Sequence, residues 1–456
     1  MDTTLDRNAG RLAQASIGKA LFALSLPIVL SNGLYASHQL VNAFWVGRLG
    51  ADAVGAVSVS FPVVSLLVSL GAGFTVAGSI LVAQYAGARN YEAVNRVSAQ
   101  AFLIVVVISA VLSAIGYLLV NLILSWMGIG VDIFEDSARY MQVSFLGIVF
   151  MFTFSMFQSI LYGIGEVRIP LYVSVFSVVL NLILDPLFIF GLGPMPPGGV
   201  VGAAYATLVS GGLASLVGLW ILLSNHYGVR LQLRNFAPDR ALVNRILLLG
   251  LPASIEQSMG ALGLTVFSAL VSNFGTTAIV SYGIGFRVLM FVYMPAFGIS
   301  VATATLVGQS VGARNFARAR QTAVSSAWYA FCLLTGAAVL IYAGAPHVVR
   351  FFVPEDPAVI REGAIVIRFL AICFGMFGIQ MSLMGAFRGA GDTFMPMLLR
   401  IVSMWVIQTP VAYYLSHHTS LRELGLWYSF PVSTTSITIL TIVWFKIQHW
   451  NRWLGT

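Results

Sequence analysis

The sequence predicts an all-α polytopic membrane protein with twelve transmembrane helices, arranged as two six-helix bundles related by a parallel internal repeat. Three observations support this: the apolar composition, a series of long apolar stretches, and short motifs that occur twice. Of the 456 residues, 58% are hydrophobic and 9% are charged, whereas about a quarter of the residues in soluble domains are charged. A water-soluble fold could not bury this much apolar surface.

The apolar stretches recur along the whole chain. Each runs for about 18 residues or more with few charges, which is long enough to cross about 30 Å of hydrocarbon as a helix. We place the starts of the spans near residues 18, 53, 97, 138, 169, 200, 242, 278, 321, 360, 394 and 424. The sequence therefore predicts a multi-pass protein of the cell inner (plasma) membrane.

Basic residues predict the orientation of these spans. With the N-terminus in the cytoplasm, seventeen of the 24 lysines and arginines fall in inner segments, Arg388 and Arg400 among them. The outer segments hold only Arg48, Arg139, Arg350, Arg361 and Arg422. Basic residues near span ends favour the cytoplasmic side, so we expect both termini in the cytoplasm. The net charge of +8 is spread thinly between apolar runs, which argues against a nucleic-acid partner.

Two nearly identical stretches reveal the repeat. "VAQYAGARN" covers residues 82–90 and "VGQSVGARN" covers residues 307–315, a shift of 225 residues. The same shift aligns Pro27 with Pro252 and Gly50 with Gly275, and a shift of 226 aligns "YGIGEVRIP" with "RGAGDTFMP". Agreement at separated places indicates that the chain contains two copies of one six-helix unit.

The repeat predicts the domain organisation. We expect an N-lobe over residues 1–227, a cytoplasmic linker over residues 228–240 and a C-lobe over residues 241–456. Because each copy has an even number of spans, both copies cross the membrane in the same direction, and substrates of such proteins bind near the midplane between the halves. Alternating access by rocking of the lobes follows from this architecture.

Asp185 is the first candidate for chemistry, because ionisable residues deep in a membrane are rare. It stands in "NLILDPLFIFG", four residues after Asn181 and directly before Pro186. Residues four apart share a helix face, and a proline leaves one backbone carbonyl without its usual donor. This pattern therefore predicts a binding site for a proton or for Na⁺. If the ion is Na⁺, Asn181 and Asp185 are the predicted metal ligands. The alternative, that Asp185 only fixes one helix against another, stays open.

Glu256, in "LPASIEQ", is the second candidate, and the shift of 225 aligns it with Ser31. A glutamate near the middle of the membrane suggests attraction of a cationic substrate or a second titratable site. A purely structural hydrogen bond, to Gln257 or to a neighbouring span, is the alternative. We count both Glu256 and Gln257 as candidate substrate-binding residues.

Further candidates lie on the eighth and tenth spans. Arg287, in "YGIGFRVLMF", either lines the cavity or pairs structurally. Met290, Tyr293 and Phe377 suggest a soft aromatic substrate pocket, with ordinary packing as the alternative. His38 precedes Asn42 on the first span and could titrate there, with a structural, hydrogen-bonded histidine as the favoured alternative. The sequence has no zinc-ligand spacing, phosphate-binding glycine loop or nucleophile motif, so we expect neither an enzyme nor a cofactor.

The chain resembles the multidrug and toxic compound extrusion (MATE) family, bacterial branch. The resemblance rests on "LVNAFWVGRLG", "VAQYAGARN", "NLILDPLFIFG", "LPASIEQ", "VGQSVGARN" and "GAFRGAGDT". It implies an antiporter driven by H⁺ or Na⁺ that exports organic, often cationic and aromatic compounds through a cleft between two six-helix bundles. Its partners would be small organic substrates and membrane lipid, and we expect a monomer.

The resemblance also implies roles for particular residues. Asn181 and Asp185 match the family's N-lobe cation-binding pair, and Glu256 matches the acid of the seventh span. Many bacterial members carry Asp at the position of Asn42, and members with a C-lobe Na⁺ site carry Asp near Phe377. Since this chain lacks the acid near Phe377, the resemblance favours H⁺ over Na⁺. Because it also lacks the acid at position 42, Asn42 and Asn181 would be neutral helpers of Asp185.

A flippase for a lipid-linked precursor is the alternative function. Such a protein would need a strongly cationic central cavity for a pyrophosphate, and by sequence only Arg287 is clearly available. A receptor or a membrane-embedded enzyme agrees less well with duplicated halves that lack catalytic motifs.

Overall fold

The computed structural model describes residues 15–191, 196–224 and 228–447, apart from the side chain of Leu233. Arg7, Arg11 and Arg452, which belong to the charge count above, lie outside the described residues. Within these ranges twelve helices are long and apolar enough to cross a membrane. The predicted all-α class and number of spans are confirmed.

The helices are numbered in chain order. They are α1 (Ile17–Gly47), α2 (Ala51–Gly87), α3 (Tyr91–Trp126), α4 (Val131–Gly163), α5 (Arg168–Phe190), α6 (Gly199–Leu223), α7 (Arg240–Ser272), α8 (Thr276–Gly312), α9 (Phe316–Phe352), α10 (Pro357–Ala390), α11 (Phe394–His418) and α12 (Glu423–Ile447). A short 3₁₀ turn, Leu233–Phe236, precedes α7. Several helices, α3 and α4 most of all, begin before the predicted apolar start, because their first turns are polar and the apolar run begins later.

The duplicated "GARN" motif is a helix end followed by a helix start. Arg89 and Arg314 adopt left-handed backbone conformations, with φ of 55° and 57°. The next residues, Asn90 and Asn315, cap α3 and α9, since each Oδ1 accepts a hydrogen bond from a backbone N–H three residues later, at 3.1 and 3.0 Å. The motif occurs twice because the same sharp connection occurs in each copy.

The ends of α4 and α10 correspond in the same way. Gly165 and Gly391 have φ of 83° and 95°, values that favour glycine. At both ends the next backbone N–H bonds to a carbonyl five residues earlier, at 2.9 Å in each case. The shift of 226 inferred from the sequence therefore describes real structural equivalence.

The described residues divide into two compact units. One contains residues 30–254, and the other contains residues 15–29 together with residues 255–447. The division falls after Val29 in α1 and after Ser254 in α7, two positions that are 225 residues apart and lie just beyond Pro27 and Pro252. The first part of each repeat's first helix thus belongs to the unit formed mainly by the other repeat. The lobe limits at residues 227 and 241 remain a sequence-based prediction.

Two equivalent glycines hold these exchanged helix segments. In the first unit, a Cβ on Gly73 would lie 2.1 Å from the backbone N of Ser254, so α2 packs directly on the first part of α7. In the second unit, a Cβ on Gly298 would lie 2.5 Å from Cγ2 of Val29, so α8 packs on the first part of α1. The absence of a side chain permits both approaches.

Each unit has its own apolar core. Phe145, Phe152 and Phe157 of α4 are fully buried in the first unit, and Phe267 and Phe374 are fully buried in the second. Many large apolar side chains elsewhere are exposed, for example Leu118 at 78% and Leu340 at 76%. Exposed apolar surface on long helices is the expected arrangement for contact with lipid.

Helix α11 departs from regular geometry. Its middle, Val402–Gln408, is a π-helix, in which the backbone N–H of Thr409 bonds to the carbonyl of Met404 five residues earlier. The hydroxyl of Thr409 donates to the same carbonyl at 2.8 Å. Pro410 follows directly, and a proline disrupts the regular hydrogen bonding of the preceding turn, which accounts for the position of the irregularity.

Candidate functional site

Asn181 and Asp185 occupy one face of α5 inside the first unit. Their exposed fractions are 1% and 0%. The side-chain amide of Asn181 donates to Oγ of Ser210 on α6 at 3.3 Å, and the Ser210 hydroxyl donates to the carbonyl of Thr207 at 3.2 Å. The spacing of four residues thus directs both predicted side chains to the buried side of α5, next to α6.

Helix α1 supplies two more members of this group. The Asn42 amide donates to Oγ1 of Thr207 at 3.4 Å, so Asn42 and Asn181 both reach the same turn of α6. The Asn181 side chain also approaches the His38 ring and the Asp185 carboxyl. We call His38, Asn42, Asn181, Asp185, Thr207 and Ser210 the N-terminal polar cluster.

Several atoms of the N-terminal polar cluster lack hydrogen-bond partners among the described residues. They are both carboxyl oxygens of Asp185, Oδ1 of Asn181 and Nε2 of His38. Burying an ionised carboxylate without donors costs several kcal/mol, whereas an added proton or a bound cation removes that cost. The geometry is therefore suited to reversible binding of a small cation at Asp185.

A Na⁺ ion at this place would depend on few ligands. No group of three or more His, Cys, Asp or Glu residues with metal-site geometry occurs in the described part of the chain. The oxygens of Asp185 and Asn181 that lack hydrogen-bond partners are the ones free to bind a proton or a cation.

Glu256 lies in the second unit and has an ion-pair partner that the sequence did not indicate. Its side chain is 7% exposed, and Nη2 of Arg388 on α10, itself 12% exposed, donates to its Oε1. The charge distribution assigned Arg388 to an inner segment; the structure places it in the last turn of α10, with its half-buried side chain paired with Glu256. The physical reason is that the carboxylate of Glu256 stabilises a guanidinium that would otherwise be unpaired.

A second arginine accompanies this pair. Arg400 of α11 packs against Gly260, one turn after Glu256 on α7. Arg400, Arg388 and Glu256 all lie close enough to the Tyr293 hydroxyl to act on it electrostatically. We call Glu256, Tyr293, Arg388 and Arg400 the C-terminal charged cluster, and its formal charge is one positive unit.

The aromatic candidates meet beside this cluster. The rings of Tyr293 and Phe377 have centroids 6.1 Å apart, and both side chains are half-buried. Gln257 and Met290 are also half-buried, next to Glu256 on α7 and three residues before Tyr293 on α8. The structure thus places Phe377 beside Tyr293, a member of the C-terminal charged cluster.

Arg287 lies elsewhere. Its side chain is exposed, and its guanidinium carbon is 5.5 Å from the ring centroid of Phe352. This placement favours structural pairing, the alternative considered for this residue.

The internal repeat aligns Arg388 with Tyr162 and Glu256 with Ser31. The sequence alone does not show that the aligned positions touch each other, so it does not identify Arg388 as the partner of Glu256.

Two repeated six-helix halves that enclose buried polar groups define the class of secondary transporters. Comparison with known proteins identifies the family. The MatE family model matches residues 27–187 and again residues 252–414, once in each copy of the repeat. The chain belongs to the MatE family, and the resemblance inferred from its motifs is confirmed. It is a multi-pass inner-membrane transporter and not an enzyme.

Relatives and solved structures agree with this assignment. The chain is 30% identical over 445 residues to the "Probable multidrug resistance protein YoeA" of Bacillus subtilis, covering 96% of each chain. It is 26% identical over 445 residues to the "Probable multidrug resistance protein NorM" of Thermotoga maritima, covering 96% of this chain and 94% of that one. A crystal structure of a MATE in the straight conformation superposes with a TM-score of 0.90 at 25% identity, covering 98% and 99% of the two chains.

A further solved neighbour comes from Pyrococcus furiosus. It is described as a MOP superfamily transporter whose binding pocket has reverse polarity, which suggests a different function for that protein. It superposes with a TM-score of 0.90 at 26% identity and 98% coverage of both chains. The fold of this chain is therefore shared by transporters whose pockets differ in charge.

Proposed function

We propose that this protein is an antiporter that exports organic compounds and takes up a proton, in preference to Na⁺, at Asp185. The observation that carries the proposal is the fully buried Asp185 carboxyl, which receives no hydrogen bond from the described residues. Ionisable groups at such depth are costly to keep unless they take part in ion or proton movement. The names of the relatives as multidrug resistance proteins support drug export.

The composition of the N-terminal polar cluster supports the proton over sodium. Asp185 is its only carboxylate, because Asn42 stands where many bacterial members of the family carry Asp. The imidazole of His38 lies beside Asn181. Asn181 and Asn42 act as neutral helpers that position α5 and α1 against α6.

Coupling follows from alternating access. The protonated Asp185 is stable in a closed site, whereas the ionised form requires water or a cation. The proton and the substrate therefore favour states of the protein that open to opposite sides of the membrane. Export of the substrate accompanies entry of the proton. We place both termini in the cytoplasm and expect the monomer to transport, as the distribution of basic residues and the two complete halves suggest.

The C-terminal charged cluster, with Phe377, is the proposed substrate-binding region. Tyr293 and Phe377 suit an aromatic cargo. Because Arg388 already pairs with Glu256, a cationic substrate has to displace Arg388 in order to reach the carboxylate. Export of cationic aromatic compounds therefore requires opening of this ion pair.

The net positive charge of that cluster favours a second candidate cargo, a compound with an anionic group. By sequence only Arg287 was available for such a cargo, but Arg388 and Arg400 lie beside Glu256 and Tyr293. A lipid-linked precursor falls in this class. A relative from Shewanella oneidensis, 24% identical over 424 residues, is named "FAD transporter", which supports variety of cargo in the family.

The test is transport by the purified protein in liposomes, driven by a pH gradient or by a sodium gradient. We expect the pH gradient alone to drive accumulation of a cationic aromatic dye, and Asp185→Asn to abolish it. Asp52→Asn, which removes an exposed acid in the first turn of α2, is the matched control and should transport normally. Transport driven only by sodium would refute proton coupling, and preference for an anionic dye would select the second cargo.

A further inference from the structure

A cleft of about 620 Å³ lies between the end of α9 and the start of α10, within the second unit. Three of its nine lining residues are arginines and none is acidic: the arginines are Arg350 on α9 and Arg361 and Arg368 on α10. Arg361 and Arg368 lie seven residues apart, so they share one face of α10. The cleft is distinct from both clusters described above.

The guanidinium of Arg368 lies over an aromatic ring, but its buried Nε lacks a hydrogen-bond acceptor. Its guanidinium carbon lies 5.5 Å from the ring centroid of Tyr342, an arrangement that orients an arginine without using its hydrogen-bond donors. Its Nε is buried and has no hydrogen-bond partner among the described residues. A buried guanidinium donor without an acceptor is unfavourable, so an anion in the cleft would stabilise this arrangement.

Acidic residues flank the cleft, but none of them lines it. Asp356 caps α10, since its Oδ1 accepts from the backbone N–H groups of Ala358 and Val359 at 2.9 and 3.2 Å. Glu362 is repelled by Glu423 at the start of α12 and attracted by Arg361. Among the described residues, no carboxylate lies within 4 Å of the three cleft arginines. The residues that line the cleft therefore carry three positive charges and no negative charge.

The depth of the cleft matches a membrane surface. Helix α10 has 34 residues, or about 51 Å at 1.5 Å per residue, which exceeds the ~30 Å hydrocarbon core by about 10 Å at each end. On that scale Arg361 lies about 6 Å and Arg368 about 17 Å from the helix start. With α10 upright and centred on the hydrocarbon, the two arginines would fall on either side of the boundary between headgroups and hydrocarbon.

We propose that this cleft binds a phosphate group, the anion shared by phospholipid headgroups and free phosphate. The planar guanidinium groups of Arg350, Arg361 and Arg368 can donate paired hydrogen bonds to phosphate oxygens. The anion would neutralise the donors of Arg368 and join the outer ends of α9 and α10. This proposal stands independently of the transport reaction.

The test uses the full-length protein in neutral detergent with an equal mixture of phosphatidylglycerol and phosphatidylcholine. Native mass spectrometry counts the lipids that remain bound. We expect wild type to retain phosphatidylglycerol preferentially, and Arg368→Gln to lower that retention about tenfold, because one charge-assisted contact is lost. A second arm adds excess inorganic phosphate, and displacement of the lipid identifies free phosphate as an equally good ligand.

Arg139→Gln is the matched control, because Arg139 lies near the start of the equivalent helix α4 and pairs there with Glu135. It should retain phosphatidylglycerol as wild type does. Arg361→Gln, at an exposed position, provides a second variant should Arg368→Gln fail to fold. Equal retention of the two lipids by wild type, or undiminished phosphatidylglycerol retention in folded Arg361→Gln or Arg368→Gln, would overturn the proposal.

Discussion

Arg388 donates a hydrogen bond to Glu256 at the two positions that the internal repeat aligns with Tyr162 and Ser31. In the N-terminal copy the Tyr162 hydroxyl lies near the Ser31 side chain, whose Oγ has no hydrogen-bond partner among the described residues. The same contact between the first and fourth helices of a repeat is therefore neutral in one copy and ionic in the other. The two halves share a scaffold but differ in the charge of an equivalent interior contact.

This equivalence predicts the outcome of exchanging the pair. Glu256→Ser or Arg388→Tyr alone leaves one buried charge unpaired, which costs roughly 3 to 5 kcal/mol of stability. The double variant recreates the neutral contact of the first copy, so we expect it to recover most of that loss. Thermal unfolding of the purified variants measures the effect, and losses that simply add in the double variant would contradict the pairing.

A second prediction concerns the equivalent glycines at the exchanged helix segments. Gly73→Ala places a methyl group against the backbone of Ser254 and should destabilise the protein by at least about 1 to 3 kcal/mol. Gly298→Ala should cost less, because the nearest atom there belongs to the side chain of Val29. Thermal unfolding measures both losses.

Gly211→Ala and Gly336→Ala are the matched controls for these glycines, one in each unit. A Cβ at either position has no neighbouring atom within 4 Å. A helical Gly→Ala change in open space stabilises by up to about 1 kcal/mol. If Gly73→Ala and Gly211→Ala had the same unfolding temperature, the close packing of α2 on α7 would be wrong.

A third prediction concerns the "GARN" connections. Arg89 and Arg314 occupy left-handed conformations that cost an ordinary residue about 1 kcal/mol or more. Arg89→Gly and Arg314→Gly should therefore leave stability unchanged or raise it slightly. Arg320→Gly, in the first turns of α9, should instead lower stability by about 1 kcal/mol. The ranking of unfolding midpoints decides, and a loss for Arg89→Gly equal to that for Arg320→Gly would contradict the strain.

Periodicity and repetition were sufficient to predict the architecture. The twelve spans are visible in the sequence because the hydrocarbon thickness sets the length of each apolar run. The repeat is visible because the duplication leaves similar motifs at a constant shift of 225 residues. The pairing of Asn181 with Asp185 on one face of α5 was equally accessible, since it depends only on helical spacing. Helix starts such as that of α4 were less accurate, because polar first turns carry no apolar signal.

Contacts between helices that are distant in sequence could not be predicted. Arg388 carries the same basic side chain as the residues predicted to face the cytoplasm, and only its approach to Glu256 distinguishes it. Likewise, nothing in the sequence indicates that Arg368 rests on Tyr342 or that Arg287 rests on Phe352. The π-helical part of α11 depends on the backbone hydrogen bonding of the turn before Pro410, which composition does not reveal.

The most direct test of the central claim is proton release upon substrate binding. Purified wild-type protein in weakly buffered solution should release close to one proton per molecule of cationic dye bound, because the dye-bound state exposes Asp185 and its carboxyl ionises. Asp185→Asn should still bind dye but release none, while Asp52→Asn should match wild type. Equal proton release by wild type and by Asp185→Asn would contradict the assignment of Asp185 as the proton carrier.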